Sequence, residues 1–528
     1  MTNKRQRTIA ATSEAQRSEV AFFGLAALCR RLAVAVVLLA CGMAHGQKLI
    51  QYTSGMGARD PQNPAVWILY DGVVATHEGM TLEADSAHYD TEHNSFTAFD
   101  NIFITLSDTT FIYGSQLYYD GNERILDIWD DTVVLIDGGT VLRANHLTYE
   151  RNRETAYYTL WGIATSDDRT LSSRRGSYAA AEKVFYINND VRLSDSTMLL
   201  LTDTLVYSTE SKVARFYSTT RIFSDSSTIY SERGEYNTET RFAVSFEDSH
   251  VENQGRTIDS DTLYYDERLE YGRAYGNVVI VDSLNNITCR GRYGETHRKR
   301  HFSYVTDSAL VLFVDGGDTL FLHGDTVYVT TDSAGSMETV RANYRVKVYR
   351  RDGQALCDSV FYSAPDSCLT LFKDPVVWYD HYQCSADTIV LLHDTAGVRR
   401  VFLHSSCFAL QQVDREKFNQ LKGRQSIVYF KDGEPDYADV LGNAQMVFYI
   451  TETDSAGQVR LVGVNAGVGS DMRIYFDSAR TATRVVTYDK PDMQTYPVQK
   501  LPDELKRLQG FSWQSARRPR RPADVFRW

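Results

Sequence analysis

Tyr89, Tyr119, Tyr149, Tyr178, Tyr207, Tyr236 and Tyr265 recur at intervals of 29 or 30 residues. Most of them stand near the end of a similar phrase. Ala84-Asp85-Ser86-Ala87-His88-Tyr89 is one copy, and Gly114-Ser115-Gln116-Leu117-Tyr118-Tyr119 and Ala144-Asn145-His146-Leu147-Thr148-Tyr149 follow it. Thr202-Asp203-Thr204-Leu205-Val206-Tyr207 and Ser260-Asp261-Thr262-Leu263-Tyr264-Tyr265 are later copies. Weaker ones continue at Gly324-Asp325-Thr326-Val327-Tyr328, Cys357-Asp358-Ser359-Val360-Phe361-Tyr362 and Ala386-Asp387-Thr388-Ile389-Val390. A period sustained this far is the mark of a repeat array, in which each unit buries its apolar face against its neighbours.

The repeat is a two-strand unit. A polar turn such as Asp120-Gly121-Asn122-Glu123 follows each Tyr. A small polar pair then precedes β-branched or small residues and is expected to open the second strand: Asp100-Asn101, Asn189-Asp190, Gly276-Asn277 and Gly442-Asn443. A second turn closes the unit, at Ser107-Asp108, Asp137-Gly138-Gly139, Asp167-Asp168, Ser194-Asp195, Ser224-Asp225, Asn253-Gln254-Gly255 and Asp282-Ser283. These are the residue types that hairpin turns require. Composition agrees: 33 Tyr, 24 Phe and only 10 Pro in 528 residues favour long uninterrupted ladders. The chain is read as all-β, an antiparallel meander of roughly 24 strands and, at about 4.8 Å per strand, on the order of 120 Å long.

Residues two apart share one face of a strand. Leu117 and Tyr119, Leu147 and Tyr149, Leu205 and Tyr207, and Leu263 and Tyr265 are such pairs. So are Ile102 and Ile104, Val133 and Leu135, Val191 and Leu193, and Val278 and Ile280. Thr, Asp, Arg and Ser lie between them, so one face is apolar and the other wet. A long single sheet of this kind must fold over to cover its apolar face. The inward residues, stepping by about 29 between repeats, then stack into one continuous strip.

Before the repeats, Lys4, Arg5, Arg7, Arg17, Arg30 and Arg31 precede the apolar run Leu32 to Ala40, too short to span a bilayer of about 30 Å. With small residues at Ala44 and Gly46 this reads as a secretory signal peptide, residues 1–46, cleaved after Gly46. The alternative is a lipoprotein signal, Leu38-Leu39-Ala40-Cys41, with Cys41 lipidated. The exported part keeps Cys289, Cys357, Cys368, Cys384 and Cys407, an odd number without a C-x-x-C pair. Zinc and thioredoxin-like chemistry therefore have no support. The turn around Asp394 is centred between Cys384 and Cys407, which are expected to face one another across a hairpin within reach of a disulfide. The repeat domain is assigned to 47–490, clearest over 80–281 and degenerate to about 450. Residues 491–528 are expected to be a short helix, Leu501 to Leu508 after Pro502, followed by a basic disordered tail carrying Arg517, Arg518, Arg520 and Arg521.

Catalysis and cofactors find no foothold. The formal net charge of −12 argues against a nucleic-acid surface. There is no G-x-S-x-G and no H-E-x-x-H. Asp380 with His381, and His393 with Asp394, stand at turns where Asp is first a turn residue. The Asp-rich turns lack the glycine-rich nonapeptide of calcium-binding β-rolls. Arg298-Lys299-Arg300-His301 is either a phosphate contact or a solvated charge that blocks strand pairing.

Phrases of the form Ala-Asp-x-x-x-Tyr and Gly-Asn-Val, repeated through a bent antiparallel sheet on a secreted chain, resemble the OstA-like superfamily, which includes periplasmic LptA and the N-terminal domain of LptD. The resemblance covers roughly residues 50–450 and is nearest to the long stand-alone OstA-like proteins of Bacteroidetes-type bacteria. The chain is longer than the familiar periplasmic bridge and lacks the membrane β-barrel of LptD. The resemblance implies an elongated, twisted β-jellyroll in the periplasm, possessing no enzyme activity and no cofactor, that carries lipopolysaccharide or a related glycolipid. Its acyl chains would lie in an apolar groove and its sugars outside. The groove would be lined by Ile102, Ile104, Leu117, Tyr119, Val133, Leu135, Leu147, Tyr149, Leu205, Tyr207, Leu263, Tyr265, Val278 and Ile280. Unpaired end strands would add other β-jellyroll transport components edge to edge, holding the protein at an outer-membrane complex. The alternative is a structural or adhesive β-solenoid with a filled core and no ligand.

Overall fold

The structure is a computed structural model that describes residues 48–528 apart from 316, 396, 454–458 and 490. The leader expected over 1–46, with its Gly46 cleavage and its alternative at Cys41, lies outside the described residues. The chain falls into two compact units, Met1–Tyr157 and Tyr158–Trp528. The division comes where the strand Thr155–Tyr158 breaks off before Gly162–Ser166.

Both units are antiparallel meanders. In the first, Val66–His77, Met80–Asp90, Ser95–Thr105, Thr110–Asp120, Ile125–Asp137 and Thr140–Glu150 pair each with the next. The expected turns join them. The second unit continues in the same way, with Val184–Ser194 on Met198–Ser208, then Phe242–Asn253, Arg256–Asp266, Tyr271–Asp282 and Ile287–His297 in succession.

The polar pairs expected to open the second strands sit instead in the middle of strands. Asp100 and Asn101 (φ 60° and 49°) lie within Ser95–Thr105, Asn189 and Asp190 (65°, 55°) within Val184–Ser194, Gly276 and Asn277 (70°, 45°) within Tyr271–Asp282, and Gly442 and Asn443 (74°, 53°) within Glu434–Thr453. Two successive left-handed residues make a bulge that bends the strand and shifts its register. Asn, Asp and Gly accept that conformation most readily. At Gly276 a Cβ would also meet the Asp261 carboxylate. The bend is what folds the sheet over. In Ser95–Thr105, Phe96 and Ala98 point inward before the corner and Ile102 and Ile104 after it, with Asp100 and Asn101 outward between them.

The period has a second structural counterpart. Five residues after each repeated Tyr, Asn94, Arg124, Glu154, Lys183, Lys212, Arg241 and Glu270 all adopt positive φ, between 48° and 62°. Several of these side chains cross to the opposite row of turns. Arg124 pairs with Glu78 at 2.7 Å, Lys212 with Asp167 at 2.5 Å, and Arg241 with Asp195 at 3.9 Å. Arg298 likewise bonds Asn253 and Gln254 and pairs with Glu270, so the basic cluster at 298–300 is tied into the turns.

The segment after Pro491 departs from expectation. A strand, Asp492–Tyr496, pairs with Val459–Phe476, and a single helical turn, Asp503–Lys506, follows Pro502. The remainder is packed against the outer face of the sheet. Leu501 and Leu508 join Phe408, Leu410, Val447 and Tyr449 in one apolar cluster, and Val525 is wholly buried. Buried glutamines of the sheet bond its backbone: Gln420 accepts from the Leu508 amide at 2.9 Å, and Gln383 donates to the Ser512 carbonyl at 2.6 Å and accepts from the Gln514 amide at 2.7 Å. The basic composition that suggested disorder hides a backbone held by partners far away in sequence.

Candidate lipid-binding cavity

All fourteen residues of the expected groove face inward, and none is more than 6% exposed. They are packed, not open. Tyr119 and Tyr149 carry phenols whose pKa is raised by burial. Tyr119 also accepts from Arg151 at 2.9 Å and contacts His77 Nδ1 at 2.6 Å, which ties the strip to the turns that close over it. Tyr178, Phe185, Tyr207, Phe216 and Tyr236 fill the centre of the following repeats.

The apolar space lies further along, in the degenerate copies of the second unit. A cavity of about 160 Å³ is walled by strands between Val376 and Tyr488. Two local features open it. The strands lengthen from the usual 11 residues to 16 in Gly397–Gln412, 20 in Glu434–Thr453 and 18 in Val459–Phe476. Small side chains, Cys384, Ala409, Ala438 and Ala482, stand on the lining; at the position of Ala409, four residues after the first residue of the bulge, earlier repeats carry Ile104, Leu193 and Ile280. Ile389, Leu421, Met446, Phe448 and Ile474 complete an almost wholly apolar wall.

One rim is polar and fixed. Glu434 and Arg480 form a bidentate pair at 2.5 and 2.7 Å. Tyr379 donates to Glu434 at 3.2 Å with the Arg480 guanidinium 5.1 Å over its ring, and Tyr382 donates to the Arg480 carbonyl at 2.9 Å. Burial pushes both phenols up to about 12, while the Arg480 hydrogen bond holds the Glu434 carboxyl below the usual range. On the lining elsewhere, Asn419 donates to Gln411 at 2.9 Å.

The cysteine pair differs from expectation. Cys384 stands opposite Ala409, two residues from Cys407, and both thiols are free. The chain between them is not a simple hairpin: it breaks after Ser385 and bends at Ser405 and Ser406, whose φ values are 60° and 55°. The two cysteines are thus diagonal neighbours, at a spacing of about 7–8 Å that a disulfide does not bridge. Burial raises the Cys384 thiol to about 12 and the Cys407 thiol to about 11. Asp380 and His381 contact each other at 3.3 Å in a turn where His381 is exposed. Among the described residues no group of His, Cys, Asp and Glu is placed to hold a metal ion.

Sequence reasoning put the lipid path in the clearest repeats and missed this cavity. Its signal was the loss of the repeating inward aromatic, together with the absence of a turn between 434 and 453.

The curated proteins yield no match to this chain. Among solved structures, LptH from Pseudomonas aeruginosa, described as the LptA homologous periplasmic component of the conserved lipopolysaccharide transport device, is similar at 16% identity and a TM-score of 0.18, over 20% of this chain and 76% of its own. The family model for OstA-like proteins matches residues 52–198 and 181–261, the stretch that holds the most regular tyrosine repeats. Over these residues, less than half of the chain, the chain is similar to OstA-like proteins.

Proposed function

We propose that this protein binds an acyl chain of a lipopolysaccharide-type glycolipid in the cavity of its second unit and serves as a non-enzymatic lipid carrier of outer-membrane biogenesis in the periplasm. The apolar cavity carries the proposal; the OstA-like match over 52–261 and the exported leader expected over 1–46 support it. A cavity of about 150 Å³ lined by Leu, Ile and Phe stays dry and accepts benzene. The cavity here has the same scale and chemistry, so it accommodates about six carbons of one chain. At about 0.8 kcal/mol per methylene, roughly 5 kcal/mol of transfer free energy is at hand without any catalytic group. Lipid A carries several acyl chains, so the cavity holds one chain end. The packed strip of each unit, Ile102 to Tyr149 in the first and Leu205 to Ile280 in the second, admits a longer segment only if it opens.

A second reading, a filled-core scaffold with no ligand, is favoured by the dense packing of that strip. Photo-crosslinking in living cells separates the two. A photo-reactive residue at Phe448 crosslinks glycolipid on the carrier reading, and one at Tyr207 does so only if the strip opens. A folded protein that crosslinks lipid at neither position is a scaffold.

A further inference from the structure

We propose that the outer strap formed by residues 517–528 docks onto an anionic lipid bilayer, an interaction surface that does not depend on the cavity reading. The strap is built in place. Arg518 donates to buried Gln354 at 2.6 Å and to the Asp380 carbonyl at 2.9 Å. Lys347, buried on the outer face of the sheet, donates to the Arg527 carbonyl and lies 5.0 Å under the Trp528 ring, while Phe526 packs on His323 at 4.7 Å. With the backbone fixed from below, the remaining side chains are presented outward.

Those side chains are Arg517, Arg520, Arg521 and Arg527, all exposed. The nearest acid is Asp524, 3.5 Å from Arg521 and 3.4 Å from Arg527. Arg517 donates to the neutral Gln514, and the Arg520 backbone amide donates to Asp524 at 3.1 Å, but among the described residues neither the Arg517 nor the Arg520 guanidinium has an acidic partner. Beside the arginines, Phe526 and Trp528 remain 46% and 53% exposed. This concentration of cations stands on a chain whose net charge is −12. Guanidinium groups bind phosphates bidentately, and aromatic rings with a polar edge settle at the headgroup level of a bilayer. Clustered arginines beside exposed Trp and Phe therefore match an anionic bilayer surface better than a flat acidic protein surface, which offers the rings no apolar layer to enter.

Vesicle co-sedimentation of the exported chain tests this, with phosphatidylcholine alone against phosphatidylcholine containing about one-third phosphatidylglycerol. The protein should sediment with the anionic vesicles, not with the neutral ones, and be released by high salt. Each basic residue near a surface contributes about fivefold, so Arg517→Gln/Arg520→Gln/Arg521→Gln should weaken binding about 100-fold. Arg290→Gln/Arg292→Gln, on the outer face of another strand, should bind as the parent does. Where the triple variant melts differently from the parent, Arg520→Gln alone should still lose about fivefold. Equal binding to both vesicle types, no binding to either, parental binding by the Arg517/Arg520/Arg521 triple variant and by Arg520→Gln, or displacement by free inorganic phosphate at matched charge would each overturn the proposal.

Discussion

The aspartate of the repeated phrase holds the corner of a neighbouring strand. Asn101 donates to Asp85 at 2.7 Å and Asn277 to Asp261 at 3.0 Å, each across 16 residues. In the weaker copies Arg345 takes the corner position against Asp325 and Lys373 against Asp358. The phrase is therefore a tie for the bend as well as a strand. Asp261→Ala should cost about 1 kcal/mol in urea unfolding, the worth of a partly exposed charged hydrogen bond. A second residue-scale consequence concerns Glu267, whose carboxyl is raised by burial although Arg241 stands 3.9 Å away and Tyr236 donates to it at 3.3 Å. A carboxyl with its pKa raised in the folded state favours folding below its unfolded pKa and loses that contribution as pH rises through the folded value. Glu267→Gln should therefore gain stability relative to the parent between pH 4 and pH 8, measured by thermal melts at matched ionic strength.

At the scale of elements, the strands and most of the turns were legible in the sequence because alternation and Asp-Gly chemistry are local signals. The position of the bends was not. A small polar pair such as Asn189-Asp190 reads as a strand opening, and only its pairing partners show that Val184–Ser194 runs through it. The ordered segment 508–528 was illegible for a different reason: its stabilisation comes from Gln420, Gln383, Gln354 and Lys347, scattered over strands and indistinguishable in sequence from surface residues. Gln383→Leu should show their weight. It leaves the Ser512 carbonyl and the Gln514 amide without partners, a cost of about 1–3 kcal/mol, and limited proteolysis within 508–528 should accelerate while the strands remain protected.

For the molecule as a whole, one repeat serves two physical states of the same interior. Where the inward positions carry Tyr and Phe the core is filled. Leu147, 1% exposed, illustrates that state. Leu147→Asp should unfold the surrounding strands at a cost of about 4 kcal/mol or more, seen as a lowered melting temperature and lost near-UV dichroism. Where the strands lengthen, at Gly397–Gln412, Glu434–Thr453 and Val459–Phe476, the same architecture encloses space. The cavity fell outside the sequence-based expectation because the small residues on its wall, Cys384, Ala409, Ala438 and Ala482, form no motif.

The central claim is that this space holds lipid. The direct measurement is mass spectrometry of lipid copurified with the exported chain after mild extraction, compared with the Ala409→Leu variant, which fills the cavity. The account predicts acylated glycolipid bound to the parent and its loss from Ala409→Leu, with the variant as stable as the parent or more so, since filling an apolar void adds contacts. A parent free of lipid, or a variant that retains as much lipid as the parent, would contradict it.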